Sequence, residues 1–139
     1  MNRLNGEFKS RATGEVSISN ENKGLIENCN LIEGSSVNAE SATQGPYAPI
    51  CITNRGIINK CINYADIESL TGDNRQQRLT EFAGITINNY GIIANCINNG
   101  KIVADKGASG ITINNEGGYV LRCIHNGSSK TGRYSGWYG

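Results

Sequence analysis

Apolar residues recur along this chain in short alternating runs broken by Asn and Gly, and the runs themselves repeat. The fullest copy is Gly84 to Ile102, GITINNYGIIANCINNGKI. Its Ile-x-Ile run, then Asn-x-x-Gly, then a second aliphatic run reads as strand, turn, strand. A helix would need apolar residues three and four apart with good helix formers between them, and Asn, Gly, Thr and Ile are poor ones.

Three further copies align on their cysteines: Ile18 to Gly34 around Cys29, Ile50 to Ile67 around Cys61, and Gly110 to Gly127 around Cys123 with an extra residue, read as Gly118. Counted from the cysteine, position −7 holds Asn22, Asn54 and Asn89, and position −5 holds Gly24, Gly56 and Gly91. Position −3 holds Ile26, Ile58, Ile93 and Val120, and position −1 holds Asn28, Lys60, Asn95 and Arg122. The cysteines lie 32, 35 and 27 residues apart, so the connections vary while the kernel does not, as in a stacked repeat. A straight strand would send residues three apart to opposite faces. A bend or bulge at −2 and −1 would let the −3 aliphatic and the cysteine both point inward.

One copy cannot bury its apolar side alone. The expected fold is all-β, a parallel β-solenoid (β-helix) of about four coils, with equivalent residues stacked at roughly 4.8 Å. Its inner ladders would be Ile26, Ile58, Ile93, Val120 and Cys29, Cys61, Cys96, Cys123, with Asn22, Asn54 and Asn89 stacked at the turns. The 139 residues read as one domain. Residues 1–15 would be a partial coil or cap, 16–127 the repeats, and 128–139 a tail or cap. Glu33 to Pro49 reads as a projecting loop, Glu68 to Phe82 as a solvated loop or one short helical turn, and Val103 to Ser109 as a short connection.

Composition narrows the function. A net charge of +1 gives no steering towards nucleic acid, and no apolar stretch approaches the roughly 20 residues of a membrane-spanning helix. Met1 to Arg11 lacks the apolar core of a secretory signal. Aromatic residues make up only 6%, so an aliphatic core is expected. Of the 5 cysteines, the four in the column read as small buried hydrophobes whose neighbours stand within disulfide reach. Cys51, between Ile50 and Ile52, should face outward by alternation and react first. Without a C-x-x-C pair no structural zinc site is expected, and no cofactor.

Catalytic chemistry is thinly represented. His125, the single histidine, reads as an ordinary turn or surface residue rather than a base for Cys123. Asp66, Asp73 and Asp105 occupy non-equivalent positions, so no recurring carboxylate pair suggests glycoside chemistry. Candidate contact residues are Arg75 and Arg78 in the most charged insertion, and Tyr134, Trp137 and Tyr138 near the end of the chain.

The kernel Asn-x-Gly-x-Ile-x-Asn-Cys, as in Asn22 to Cys29 and Asn89 to Cys96, resembles the GLUG-type repeats of bacterial surface proteins over about Val16 to Gly127. That resemblance implies a β-solenoid rod on an extracellular or cell-surface protein, carried as part of a longer exported chain, with no catalytic residues. The expected role is a structural or adhesive module, not an enzyme, that binds a cell-surface glycan or protein through loops without entering a membrane. The alternative is a self-assembling, fibre or tail-spike-like homo-oligomer, packed end to end or side by side. A polysaccharide-processing β-helix enzyme is the remaining reading.

Overall fold

A computed structural model of the chain describes residues 3–8, 11–13, 18–31, 36–38, 46–68, 81–104 and 107–131. Among them every regular element is a strand and no helix occurs. The chain opens with β1 (Arg3–Phe8) and β2 (Arg11–Thr13). The first copy supplies β3 (Ser19–Asn22), β4 (Leu25–Leu31) and β5 (Ser36–Asn38). The second supplies β6 (Cys51–Asn54), β7 (Ile57–Asn59), β8 (Ile62–Asn63) and β9 (Asp66–Glu68). The third comprises β10 (Glu81–Ala83), β11 (Thr86–Asn89), β12 (Ile92–Ala94), β13 (Ile97–Asn98) and β14 (Ile102–Ala104). The fourth comprises β15 (Gly107–Ser109), β16 (Thr112–Asn115), β17 (Tyr119–Leu121), β18 (Ile124–His125) and β19 (Ser129–Thr131).

Each strand lies beside its counterpart in the next copy, and every pairing is parallel. The strands form four sheets, of eight, five, four and two strands. Registers match residue for residue: Ile26 pairs with Ile58, Ile58 with Ile93, and Ile93 with Val120. Pairing also extends past the repeats, since β1 lies on β4, β2 on β5, and β19 on β14.

The turn at position −1 is made by one residue. Asn28, Lys60, Asn95 and Arg122 have φ of 55°, 54°, 54° and 51°, in the left-handed region. Asn adopts that conformation readily, whereas a longer side chain there costs about 1–2 kcal/mol. The reversal turns both flanking side chains inward, and Ile26, Cys29, Ile58, Cys61, Ile93 and Cys96 are all buried. Each buried isoleucine contributes roughly 2 kcal/mol of apolar transfer.

Glycine is required where copies approach most closely. A Cβ on Gly91 would run into the Gly56 carbonyl oxygen, and one on Gly56 into that of Gly24. The fourth copy spends its extra residue at Gly117, with φ of 72°, so that Gly118 takes the place of Gly91. The inserted residue is therefore Gly117 and not Gly118.

Several readings of the connections are corrected. Glu33 to Pro49 is not all projecting loop, because Tyr47, Ala48 and Pro49 are buried. Tyr47 bridges to Phe82, their rings meeting edge-on with centroids 6.1 Å apart. With Ile67, Ile102 and Ala104 they form a second cluster, so the core is not purely aliphatic. Glu68 and Phe82 likewise belong to strands, and Val103 to Ser109 contains parts of β14 and β15. Single aromatics in non-repeating positions carry no periodic signal, and three-residue strands of Gly, Ala and Ser carry none either.

The inner ladder is not sealed along its whole length. Val120 is 37% exposed and Cys123 half-buried, whereas Ile93 and Cys96 are at 0%. Among the described residues the fourth copy has a neighbouring copy on one side only.

Candidate functional site

The polar side chains that the repeat brings together form rows perpendicular to the strands. In the inner row Asn22 Nδ2 donates to Asn54 Oδ1 at 2.9 Å, Asn54 to Asn89 at 2.9 Å, and Asn89 to Asn115 at 2.8 Å. The oxygens of the first three also accept the N–H of the glycine two residues on, at 3.1, 3.2 and 3.3 Å. Their remaining amide hydrogens reach the carbonyls of Ile57, Ile92 and Tyr119 at 3.1, 3.2 and 3.2 Å. An amide offers two donors and two lone pairs, so Asn54 at 0% exposure is fully engaged. Asn115 belongs to this row although it lies eight residues before Cys123, the insertion having shifted the count.

A second row, two residues after each cysteine, escaped the sequence reading. Asn63 Nδ2 donates to Asn98 Oδ1 at 2.7 Å, and the Asn98 amide nitrogen lies 3.0 Å from His125 Nδ1. An amide nitrogen only donates, so Nδ1 is the acceptor and the imidazole proton sits on Nε2. His125 is thus exposed, as a surface residue would be, yet it ends a buried polar row. The available signal was Asn at the same offset in two copies. Gly84 and Gly110 pass over this row, where a Cβ would strike Asn98 and His125.

A third row lies outside. Arg122 Nε donates to Asn95 Oδ1 at 2.8 Å, Asn95 to Asn59 at 2.9 Å, and Asn59 to Glu27 at 2.9 Å. Nearby, Arg55 donates to Glu21 at 3.2 Å and lies 4.6 Å from the centroid of the Tyr90 ring. Both groups are exposed, so such contacts contribute modestly.

The column thiols point towards carbonyls of their own and the preceding copy: Cys61 to Ile26 at 3.9 Å, Cys96 to Ile58 at 3.8 Å, and Cys123 to Ile93 at 3.7 Å. No disulfide links any of the five cysteines. Burial, with the Cys61 thiol beside it, pushes Cys29 up to about 11. The neighbouring Cys123 thiol, then the Cys61 thiol, then burial raise Cys96, and Cys96 in turn lowers Cys61. Thiols held protonated in this way are poor nucleophiles.

Cys51 does not face outward. It is fully buried in the central cluster with Ile50, and its Sγ lies 3.0 Å from the Thr53 carbonyl oxygen. The chain bends at Pro49 and Ile50, breaking the alternation there, while Ile52 packs on the other side against Ala48 and Ala83. Desolvation holds this thiol up to about 11.

Arg75, Arg78, Tyr134, Trp137 and Tyr138 lie outside the described residues. Among the described residues no group of three or more His, Cys, Asp or Glu side chains could hold a metal ion. The chain matches no protein-family model, no curated protein and no solved structure.

Replacing Asn54 with Ala leaves the Gly56 N–H, the Asn22 amide and the Asn89 oxygen each short of a partner. Asn54→Ala is expected to cost about 3 kcal/mol. Asn114→Ala removes only an exposed bond to Asn88 and should cost less than about 0.5 kcal/mol. Urea denaturation measures both, and equal losses would refute the distinction.

The raised Cys51 thiol favours the folded state while protonated. That contribution is whole below its ordinary value of 9.0 and disappears as pH climbs through about 11. Cys51 shares its register with the buried Thr86, so Cys51→Thr should fold with stability within about 1 kcal/mol of the parent near neutral pH. The variant should then lose less stability than the parent between about pH 9 and about pH 11, read from denaturant midpoints. Parallel pH curves would contradict the assignment.

Proposed function

We propose that the four sheets wind as one parallel β-solenoid of about four coils. In this reading the chain is a non-enzymatic structural and adhesive repeat module of an extracellular or cell-surface protein. The observation that carries the proposal is the register. Ile26, Ile58, Ile93 and Val120 are successive backbone partners, and the asparagine row follows them through every copy. Such an arrangement supplies rigidity and a regular outer surface, and its saturated amides supply no obvious acid or base. The resemblance to GLUG-type repeats supports the same role. Binding of a glycan or protein falls to the segments that interrupt the kernel, of which 69–80, with Arg75 and Arg78, is the most charged.

The experiment is a combined glycan and protein array probed with the whole chain, alongside assays for sugar release. Retention on one ligand class without product is expected. Product release would overturn the non-enzymatic reading, and retention on nothing would overturn the adhesive one.

A second reading, self-assembly, is favoured by the fourth copy. Tyr119, Val120, Leu121 and Ile124 are 63%, 37%, 42% and 50% exposed there, an apolar cluster on a strand row whose counterparts in the preceding copy are covered more fully. Assembly predicts light scattering that falls as the protein is diluted, and a monomer at every concentration would remove this reading.

A further inference from the structure

The cysteine column is uniform in sequence and unequal in access. Cys29, Cys61 and Cys96 are at 0% exposure, whereas Cys123 is half-buried and flanked by the exposed Leu121 and Ile124. The residues on either side of Cys96 and Cys123 are paired in register, Ala94 with Leu121 and Ile97 with Ile124. The two cysteines therefore stand one interstrand spacing apart, roughly 4.8 Å, inside the Cα separation of about 4.4–6.8 Å that a disulfide spans. Cys123 Sγ also lies 3.7 Å from the carbonyl oxygen of Ile93, three residues before Cys96.

We propose that Cys123 and Cys96 form a redox-active thiol pair, in which Cys123 is attacked from solvent by small disulfides and Cys96 resolves the adduct into an inter-copy disulfide. In the first step the Cys123 thiolate, its proton lost to water, attacks one sulfur of a low-molecular-weight disulfide. A mixed disulfide forms and one small thiolate leaves. In the second step Cys123, now part of a disulfide, no longer offers Cys96 an anionic neighbour that holds its proton in place; the Cys96 sulfur attacks the Cys123 sulfur, and the Cys96 proton leaves with the second small thiol. Two protein thiols are oxidised as one external disulfide is reduced to two thiols.

Three features make Cys123 the point of entry. It alone of the five is less than fully buried. The neighbouring Cys96 thiol, against the opposing effect of burial and with help from backbone contacts, holds Cys123 down to about 7, below its ordinary value of 9.0. Cys96 stands in register one strand away, where it can resolve the adduct. The disulfide would join the third and fourth copies, where the ladder is least protected. This inference needs only the stacking of those two copies and stands apart from the adhesive reading.

The test uses the whole reduced chain treated with oxidised glutathione under native conditions. Samples are quenched, denatured, alkylated and mapped by peptide mass spectrometry over time. Glutathione is expected first on Cys123, giving way to a Cys96–Cys123 disulfide while Cys29, Cys51 and Cys61 are recovered alkylated. In Cys96→Ser the adduct on Cys123 should persist, and in Cys123→Ser thiol loss should slow by about 10-fold or more. Modification of Cys51 ahead of Cys123, or a Cys123 adduct that persists in the parent chain, would overturn the proposal. Mapping of the parent decides the question even if a variant does not fold.

Discussion

A buried carboxamide has to satisfy two donors and two lone pairs with no help from water, and this requirement governs the structure. Asn54 and Asn89, both at 0% exposure, meet it only because another asparagine stands one strand spacing away on one or both sides. Moving a copy by one residue would strand each amide at a cost of about 1–3 kcal/mol per lost partner, and would turn the isoleucines outward. Apolar burial would oppose the same slip, at roughly 2 kcal/mol for each isoleucine exposed. The amides and the hydrocarbon therefore specify one register, and only the amides also fix which donor meets which acceptor.

The fourth copy shows which element yields when the two compete with chain length. It carries an additional residue between Asn115 and the glycine that follows. Neither the amide row nor the Ile93 to Val120 pairing shifts to absorb it. The surplus is expelled as a turn at Gly117, where positive φ is free of strain for glycine. Likewise Lys60 and Arg122 accept left-handed backbone, an unfavourable conformation for both, because the burial of Ile58 and Cys61 depends on that reversal.

What the sequence disclosed follows from this. Rows occupied by one residue type in most copies, such as the asparagines and cysteines, were legible as a period. So was the need for a turn between positions −3 and 0, since Ile26 and Cys29 could not otherwise share a side. Asn115 was lost because a count taken from Cys123 runs across the insertion. The row of Asn63, Asn98 and His125 was lost because its first place is held by Leu31 and its last by a histidine acting as acceptor. Cys51 was misjudged because alternation assumes a straight strand with one wet face. Here the strand follows a bend, and Ala48 and Ala83 cover its other side. Tyr47 and Phe82 interlock across two connections with no common pattern, so only three-dimensional packing reveals them.

The rows also have polarity, and the polarity separates their ends. Inner amides donate from each copy to the next, whereas the outer row donates backwards, from Arg122 through Asn95 and Asn59 to Glu27. Arginine can only donate and a carboxylate can only accept, so the outer row is complete at both ends. The second inner row finishes on His125, whose Nδ1 takes the last amide hydrogen. The first inner row has no such terminus. Asn115 turns its amide nitrogen to the Gly118 carbonyl at 3.2 Å, within its own copy, in an exposed position. Its predecessors make the equivalent local bond, to Gly24, Gly56 and Gly91, and also donate to the following asparagine, so it is this donation across copies that Asn115 does not make among the described residues. Of the three rows, only this one ends in a group chemically equivalent to its interior members, and it does so beside the same exposed strands that carry Val120 and Cys123.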